Sequence, residues 1–253
     1  MGSDVVLTSI VDGVGVVSFN RPARHNAIDD ELGRAWRAAV ASALVDDRVR
    51  CLLLCGEGRS FCSGRDTAQL GQRVAGESDV AFVARAQEIR IAMMESPKPV
   101  VAAVQGHALG GGFETALGAD MRIAADDATF GFPEIGFGLV ADTGGTQLLT
   151  PLIGPSRAKY LLMTGARIDA AQALVWGVVD WVVPAAELRD AALELATKLA
   201  AAPASAVGFA KQLVDQAWTG SIRNGMRQEV VAQAALFASD DYLRMKAARG
   251  AAS

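Results

Sequence analysis

The 253-residue chain is poor in the residues that build metal and disulfide sites, with only two histidines and three cysteines. Cys51, Cys55 and Cys62 follow no common zinc-binding spacing, and His25 and His107 lie well away from them in the sequence. An odd number of clustered cysteines is also a poor disulfide framework. We therefore predict no metal site, and we interpret the cysteines as small packing residues in a reducing compartment, which favours the cytoplasm.

Other absences exclude further classes of protein. No apolar run is long enough to cross a bilayer, and residues 1–7 lack a basic segment followed by an apolar core, so we expect no secretory leader. The net charge of −4 gives no general attraction to nucleic acid or to an anionic membrane surface. No P-loop is present, and the one Gly-x-Gly-x-x-Ala match, at 136–141, lacks a clear preceding strand, which argues against a nucleotide-dependent oxidoreductase.

What is present is an ordinary globular composition, with 51% hydrophobic and 21% charged residues. Roughly the first 140 residues alternate β-rich and helical patterns and predict an α/β core, beginning with a hairpin at Asp12-Gly13 and a helix capped by Asp29 or Asp30. From residue 143 onward the pattern is almost wholly helical. The predicted strands are 5–10, 14–19, 49–55, 99–104, 121–125, 128–132 and 178–183, and the longest C-terminal helices are 188–201, 204–218 and 222–237.

Two glycine-rich segments, 56–66 and 101–120, each follow a predicted buried strand and precede a helix. Backbone without side chains allows a ligand to approach closely, and the free N–H groups at the start of a helix can hold an anion. These segments are the strongest candidates for a binding site.

Three acidic residues lie in or after the second segment. Glu114 falls in the first turn of a predicted helix, where a carboxylate can also serve simply to complement the helix dipole. Glu134 stands among apolar neighbours, where desolvation would raise its pKa into a useful range. From spacing alone, Asp142 is predicted to be the N-cap of the next helix. Of the histidines, His107 is interpreted as structural, and His25 is assigned to a ligand-entry loop or the surface.

Taken in order, these pieces resemble the enoyl-CoA hydratase/isomerase (crotonase) superfamily over nearly the whole chain. The resemblance implies an α/β fold in which ββα turns wind into a right-handed spiral. It further implies a core domain at residues 1–195 and a C-terminal helical region at 196–253 that drives assembly into a homotrimer or a dimer of trimers. The matching segments are 20–28, 61–66, 101–121, 130–138, 144–147, 162–165 and 173–179.

The resemblance also implies a substrate and a site. The substrate would be an acyl-coenzyme A thioester, with coenzyme A entering as part of the substrate and no permanently bound cofactor. The backbone N–H groups of Arg65 and Gly111 would form an oxyanion hole. Coenzyme A contacts are expected at Arg24, Arg59, Ser63, Gly64 and Asp66.

Hydration of a trans-2-enoyl-CoA is the first expectation for the reaction, because hydratases of this superfamily carry glutamate at both acid positions. By resemblance, Glu114 would activate water and Glu134 would exchange the proton at Cα. Asp142 stands where simple hydratases usually carry glycine and where several double-bond isomerases carry aspartate, so isomerisation by Glu134 and Asp142 is the alternative. A non-catalytic acyl-CoA-binding homologue is the third reading, and the presence of both glutamates argues against it.

Overall fold

The computed structural model describes residues 5–72, 76–218 and 220–250, with only the backbone described at 249 and 250. The leader prediction therefore rests in part on residues 1–4, outside the described residues. The strands are β1 (Val6–Val11), β2 (Val14–Phe19), β3 (Cys51–Gly56), β4 (Val100–Val104), β5 (His107–Leu109), β6 (Met121–Ala125), β7 (Thr129–Gly131), β8 (Arg167–Asp169) and β9 (Trp181–Val183).

The helices follow the predicted order closely. They are α1 (Asp30–Val45), α2 (Asp79–Glu95), α3 (Gly111–Leu117), α4 (Gly145–Ile153), α5 (Pro155–Thr164), α6 (Ala170–Trp176), α7 (Leu188–Ala201), α8 (Ala204–Gln216), α9 (Ile222–Phe237) and α10 (Asp240–Gly250). Asp29 caps α1 by accepting a 2.8 Å hydrogen bond from the Leu32 amide, as predicted. Residue 195 lies within α7, and the division of the chain into 1–195 and 196–253 stays a prediction.

The larger sheet has the order β1-β2-β3-β4-β6-β9, in which β1 and β2 are antiparallel and the other pairs are parallel. The predicted hairpin is confirmed, because Asp12 and Gly13 both adopt positive φ, at 49° and 80°. Strands β2, β3 and β4 are buried at every position, as expected for parallel strands covered on both faces.

Apolar residues divide between the two faces of this sheet. On one face Leu52 and Leu54 of β3 pack in a cluster with Trp36 of α1, while on the other Leu53 packs with alanines of α7. Cys51, Cys55 and Cys62 are buried and unpaired in disulfides, and burial raises the pKa of the Cys62 thiol to about 12. The interpretation of the cysteines as packing residues is confirmed.

A second layer of backbone pairing follows strands β2, β3, β4 and β6 of the large sheet. Isolated bridges join Ile28 to Arg65 and Cys62 to Ala108, and β5, β7 and β8 form a small sheet beyond them. The strand–strand–helix repeat is therefore present. Strand β8 corrects the prediction that 178–183 contains the only strand after residue 143, because three residues are too few to give a periodic pattern. No helix in the described part of the chain is long and apolar enough to cross a membrane.

Candidate active site

The two glycine-rich segments lie side by side. The Cys62 amide donates to His107 O at 2.9 Å, and the Leu109 amide donates to Cys62 O at 3.0 Å. Gly64 has φ of +89°, and a Cβ at this residue would lie 2.7 Å from Leu109 O and 3.4 Å from Gly111 N. Only glycine allows this approach, which brings the backbone of residues 64 and 65 against that of residues 110 and 111.

The backbone amides of Arg65 and Gly111 are left unbonded by this arrangement. On either side of Arg65, Gly64 O and the Asp66 amide are both bonded to Ile28, at 2.7 and 2.9 Å. Gly111 is the first residue of α3, and the first amides of a helix have no partner within it. Among the described residues, neither the Arg65 nor the Gly111 amide donates a hydrogen bond to the protein. Two main-chain donors are therefore available to a ligand.

The side chain of Arg65 does not compete for this site. Its guanidinium donates a 2.7 Å hydrogen bond to Asp30 at the start of α1 and lies 5.2 Å from the ring centroid of Phe82. The hydrogen bond from Arg65 lowers the pKa of Asp30. Arg65 thus contributes its amide to the site while its side chain packs between α1 and α2.

The carboxylate of Glu134 lies directly against Gly110. A Cβ at Gly110 would overlap Glu134 Oε1, and Gly110 has φ 51° and ψ −127°, a conformation that side-chain-bearing residues rarely adopt. Glu134 itself stands in a short 3₁₀ helix, Pro133–Phe137. Because Gly110 has no side chain, the carboxylate of Glu134 has room to lie against the backbone next to Gly111.

The pKa of Glu134 is raised to about 7. Burial is the largest cause, a backbone hydrogen bond opposes it, and the charges of Glu114 and Asp142 add smaller increases. Glu134 Oε2 is buried and has no hydrogen-bond partner among the described residues. The predicted effect of apolar surroundings on this acid is confirmed. A carboxyl group that titrates near neutrality can both donate and accept a proton at working pH.

Glu114 occupies a different environment, in which it is only 1% exposed. Its Oε1 accepts from the amides of Thr143 and Gly145, both at 2.8 Å, and its Oε2 accepts from Thr143 Oγ1 at 2.6 Å. These three bonds connect α3 to the first turn of α4. Glu114 therefore complements the start of α4 rather than the start of its own helix.

The prediction that Asp142 caps α4 is wrong. The N-cap residue is Gly144, at φ 119°, which has no side chain to cap with, and the carboxylate of Glu114 binds the free amides instead. Asp142 is exposed, its carbonyl accepts a 2.6 Å hydrogen bond from Gln87 Nε2, and its charge acts on Glu134. Asp142 stands too early in the chain to be the residue that borders the helix.

Glu134 and both backbone segments line a cleft of about 490 Å³. Of the predicted site residues, it is lined by Arg24, Ser63, Gly64, Arg65, Asp66 and Glu134. His25 also lines it, and its assignment to a ligand-entry loop stays a prediction. Arg167 lines it too and was missed, because it lies on the unpredicted strand β8 and carries no local signal.

Basic groups lie in and beside the cleft. Arg59 lies 2.8 Å from His25 Nε2, and because a guanidinium has no acceptor, Nε2 must accept and the ring proton must be on Nδ1, where it donates to Ser60 Oγ at 2.8 Å. His25 thus holds Arg59 beside the cleft. Arg24 and Arg167, which line the cleft, and Arg59 beside it can bind an anionic group such as a phosphate. No group of three or more His, Cys, Asp or Glu in the described ranges could hold a metal ion.

Comparison with known proteins agrees with this geometry. Residues 9–248 match the enoyl-CoA hydratase/isomerase family, so the chain belongs to that family, whose members act on acyl-CoA thioesters. The chain is 33% identical over 232 residues to the putative enoyl-CoA hydratase/isomerase YngF of Bacillus subtilis, covering 90% of this chain and 88% of the relative. It is 36% identical over 222 residues to the 1,2-epoxyphenylacetyl-CoA isomerase of Escherichia coli, covering 87% of this chain and 85% of the relative.

The fold agrees as well. The crystal structure of subunit I of an enoyl-CoA hydratase from Geobacillus kaustophilus superposes with a TM-score of 0.88 at 35% identity, covering 96% of this chain and 94% of that one. The α/β crotonase-type fold with a C-terminal helical region is confirmed.

Changing Gly110 to alanine should displace the carboxylate of Glu134, because the added Cβ would overlap Oε1 and strain the backbone. We expect a loss of about 1–3 kcal/mol in the free energy of unfolding and a fall of at least about 100-fold in turnover of an enoyl-CoA. The measurements are urea unfolding and steady-state kinetics. Gly136→Ala is the matched control, since nothing lies within 4 Å of a Cβ there. Equal stability and turnover of the two variants would contradict the contact between Gly110 and the carboxylate of Glu134.

Proposed function

We propose that the protein is an enoyl-CoA hydratase, which adds water reversibly and with syn geometry across the double bond of a trans-2-enoyl-CoA. The observation that carries this proposal is the position of Glu134. Its carboxyl group, with a pKa raised to about 7, lies against Gly110 beside two unbonded main-chain amides. An acid with this pKa next to an oxyanion site is suited to proton transfer at the carbon adjacent to a thioester.

The amides of Arg65 and Gly111 would donate to the thioester oxygen. When hydroxide adds to Cβ, electrons move through the double bond and negative charge builds on this oxygen as an enolate. Donors fixed in advance stabilise that charge without reorganising, and losing one such donor typically costs about 10²–10³ in rate. Because the donors are main-chain groups, the identity of the side chain at position 65 matters little.

The two glutamates would divide the proton transfers. Glu114 accepts a proton from the water whose oxygen bonds to Cβ, and protonated Glu134 delivers its proton to Cα. The proton on Glu114 then returns to Glu134, so that one water is consumed and the enzyme is regenerated. The charge of Glu114 contributes to the raised pKa of Glu134, as expected for two carboxyl groups that share a site.

Coenzyme A would bind as part of the substrate, with no separate resident cofactor. Arg24, which lines the cleft, and Arg59, which His25 holds beside it, would pair with its phosphates. The segment Ser63–Asp66 would follow its pantetheine chain toward the amides. Residence in the cytoplasm stays a prediction of the sequence.

Double-bond isomerisation is a second candidate, and the environment of Glu114 favours it. That carboxylate already accepts three protein hydrogen bonds and is almost fully buried, which leaves it little capacity to activate a water. An isomerase needs no water as a reactant, because ionised Glu134 would take a proton from one carbon and protonated Asp142 would give one to another. The proton on Glu134 would then return to Asp142, which regenerates the enzyme. A non-catalytic protein that only binds acyl-CoA would not need these acids or the raised pKa of Glu134, which argues against that third alternative.

Substitution of the acids separates these reactions. We expect Glu114→Gln and Glu134→Gln each to reduce hydration of crotonyl-CoA by about 10²–10⁴-fold, because each removes one proton transfer. Asp142→Asn, the matched control, should stay within about threefold of the wild type. Loss of absorbance by the conjugated thioester measures the rate. A wild-type enzyme that shifts double bonds without hydrating them, and that needs Asp142, would establish the isomerase instead.

The pH profile of kcat/KM provides an independent test. Hydration requires Glu134 in its protonated form, so kcat/KM should fall as the pH rises through about 7. Isomerisation that begins with proton abstraction requires the ionised form, so its kcat/KM should rise through the same pH. The Glu134→Gln variant should lose this titration in either case. A profile for the wild type without a transition near pH 7 would rule out Glu134 as the proton carrier.

We also propose assembly into a homotrimer or a dimer of trimers through the C-terminal helices. Large apolar side chains are exposed on α8 and α9, and such a surface is unusual on a monomer. They include Val214, Ile222, Met226, Val230 and Phe237. Sedimentation equilibrium should give three or six times the 26.4 kDa mass of the chain. A monomer at micromolar concentration would overturn this proposal.

A further inference from the structure

Arg90 is a buried arginine on α2 whose guanidinium reaches the start of α3. It is only 6% exposed. One terminal nitrogen donates to Gly111 O at 3.0 Å and to Thr115 Oγ1 at 2.8 Å, and the other donates to Ala86 O at 2.8 Å. Thr115 Oγ1 in turn donates to Gly111 O at 2.8 Å. Two side chains thus converge on the main chain of Gly111.

Among the described residues, this cation has no acidic partner in direct contact. In the part of the chain that the structure describes, no carboxylate lies within ion-pair distance of Arg90, and its buried Nε has no hydrogen-bond partner. The face of Trp36, 5.5 Å from the guanidinium carbon to the ring centroid, adds a cation–π contact. The direct contacts of Arg90 are therefore with neutral groups, and burying a charge without a contacting carboxylate is costly.

The guanidinium of Arg90 lies next to the residue that contributes one of the two free amides. The atom nearest to a Cβ built on Gly111 is the Arg90 nitrogen, at 4.0 Å, equal with Ile28 Cδ1, so the cation lies immediately behind the residue whose amide is free. The charges of Glu114 and Asp142 both act on Arg90. In surroundings without water, a fixed positive charge acts strongly on any negative charge that forms nearby.

We propose that Arg90 is a positioning residue for the oxyanion hole. Its guanidinium holds Gly111 in place from behind and adds a fixed positive charge that stabilises negative charge on the substrate oxygen. This inference rests on the proposed function, in which the amides of Arg65 and Gly111 bind a thioester oxygen. It assigns no contact with substrate to Arg90, which acts through Gly111 and through its field.

A spectroscopic test separates this role from packing of α2 against α3. The probe is a conjugated cinnamoyl-type CoA thioester, whose absorbance moves to longer wavelength when its carbonyl oxygen is polarised. Arg90→Met removes the charge, and Arg90→Lys keeps it but loses the fork that reaches Gly111 and Thr115. Arg122→Met is the matched control, because Arg122 is also buried, at 5% exposed, and also donates to backbone carbonyls, those of Val178 and Ala119.

For Arg90→Met we expect less than about half of the wild-type wavelength shift per bound ligand, with kcat reduced about tenfold or more and KM within about threefold, since a supporting charge contributes less than a direct donor. Arg90→Lys should fall between the two. Arg122→Met should keep the full shift and a near-normal kcat per folded molecule. A full shift in Arg90→Met, with kcat equal to that of Arg122→Met, would overturn the proposal.

The remaining outcomes are also decisive. If Arg90→Met does not fold, Arg90→Lys carries the test, and a shift and kcat equal to those of the wild type would reject the positioning role. If the wild-type protein binds the probe without any shift, or does not bind it, the proposed function fails and this inference fails with it. A wild-type shift that all variants preserve would reject the role of Arg90 alone and leave the proposed function standing.

Discussion

The site depends on the close contact between two stretches of backbone that follow the adjacent parallel strands β3 and β4. The bridge between Cys62 and Ala108 sets their register, and Gly64 has no room for a side chain against Leu109 O. Because parallel strands end at the same edge of a sheet, the segments that leave them meet there. The amides of Arg65 and Gly111 remain without partners for this reason, and every function proposed for the cleft requires them.

Burial determines the energetic cost and the pKa shifts of the charged groups around this contact. It is the largest cause of the raised pKa of Glu134, about 7, and of the lowered pKa of Arg90, and both effects oppose folding. Glu114 avoids this cost by binding the start of α4, where three donors surround its carboxylate. The three groups therefore differ: Glu134 has an oxygen without a hydrogen-bond partner among the described residues, Glu114 is bound by three donors, and Arg90 contacts the main chain of Gly111.

Much of the fold could be predicted from local pattern. Helices α7 and α9 begin and end at the predicted residues, because long amphipathic periods and clear end signals mark them. Strands β5 and β8 could not be predicted, since three residues carry no period and their pairing is with residues distant in the chain. The prediction that Asp142 is the N-cap was wrong for a related reason, because the carboxylate of Glu114, on another helix, accepts the hydrogen bond from the Gly145 amide.

The sequence by itself determined the family, the two glycine-rich segments, and the acid at 134 whose apolar neighbours raise its pKa, because these depend on residue types at close spacing. Only the tertiary structure decided that Glu114 binds Thr143 and Gly145, and that Arg90 lies behind Gly111. Such contacts join residues that lie on separate helices. Packing of whole elements creates them, and no local pattern records which side chains will then face one another.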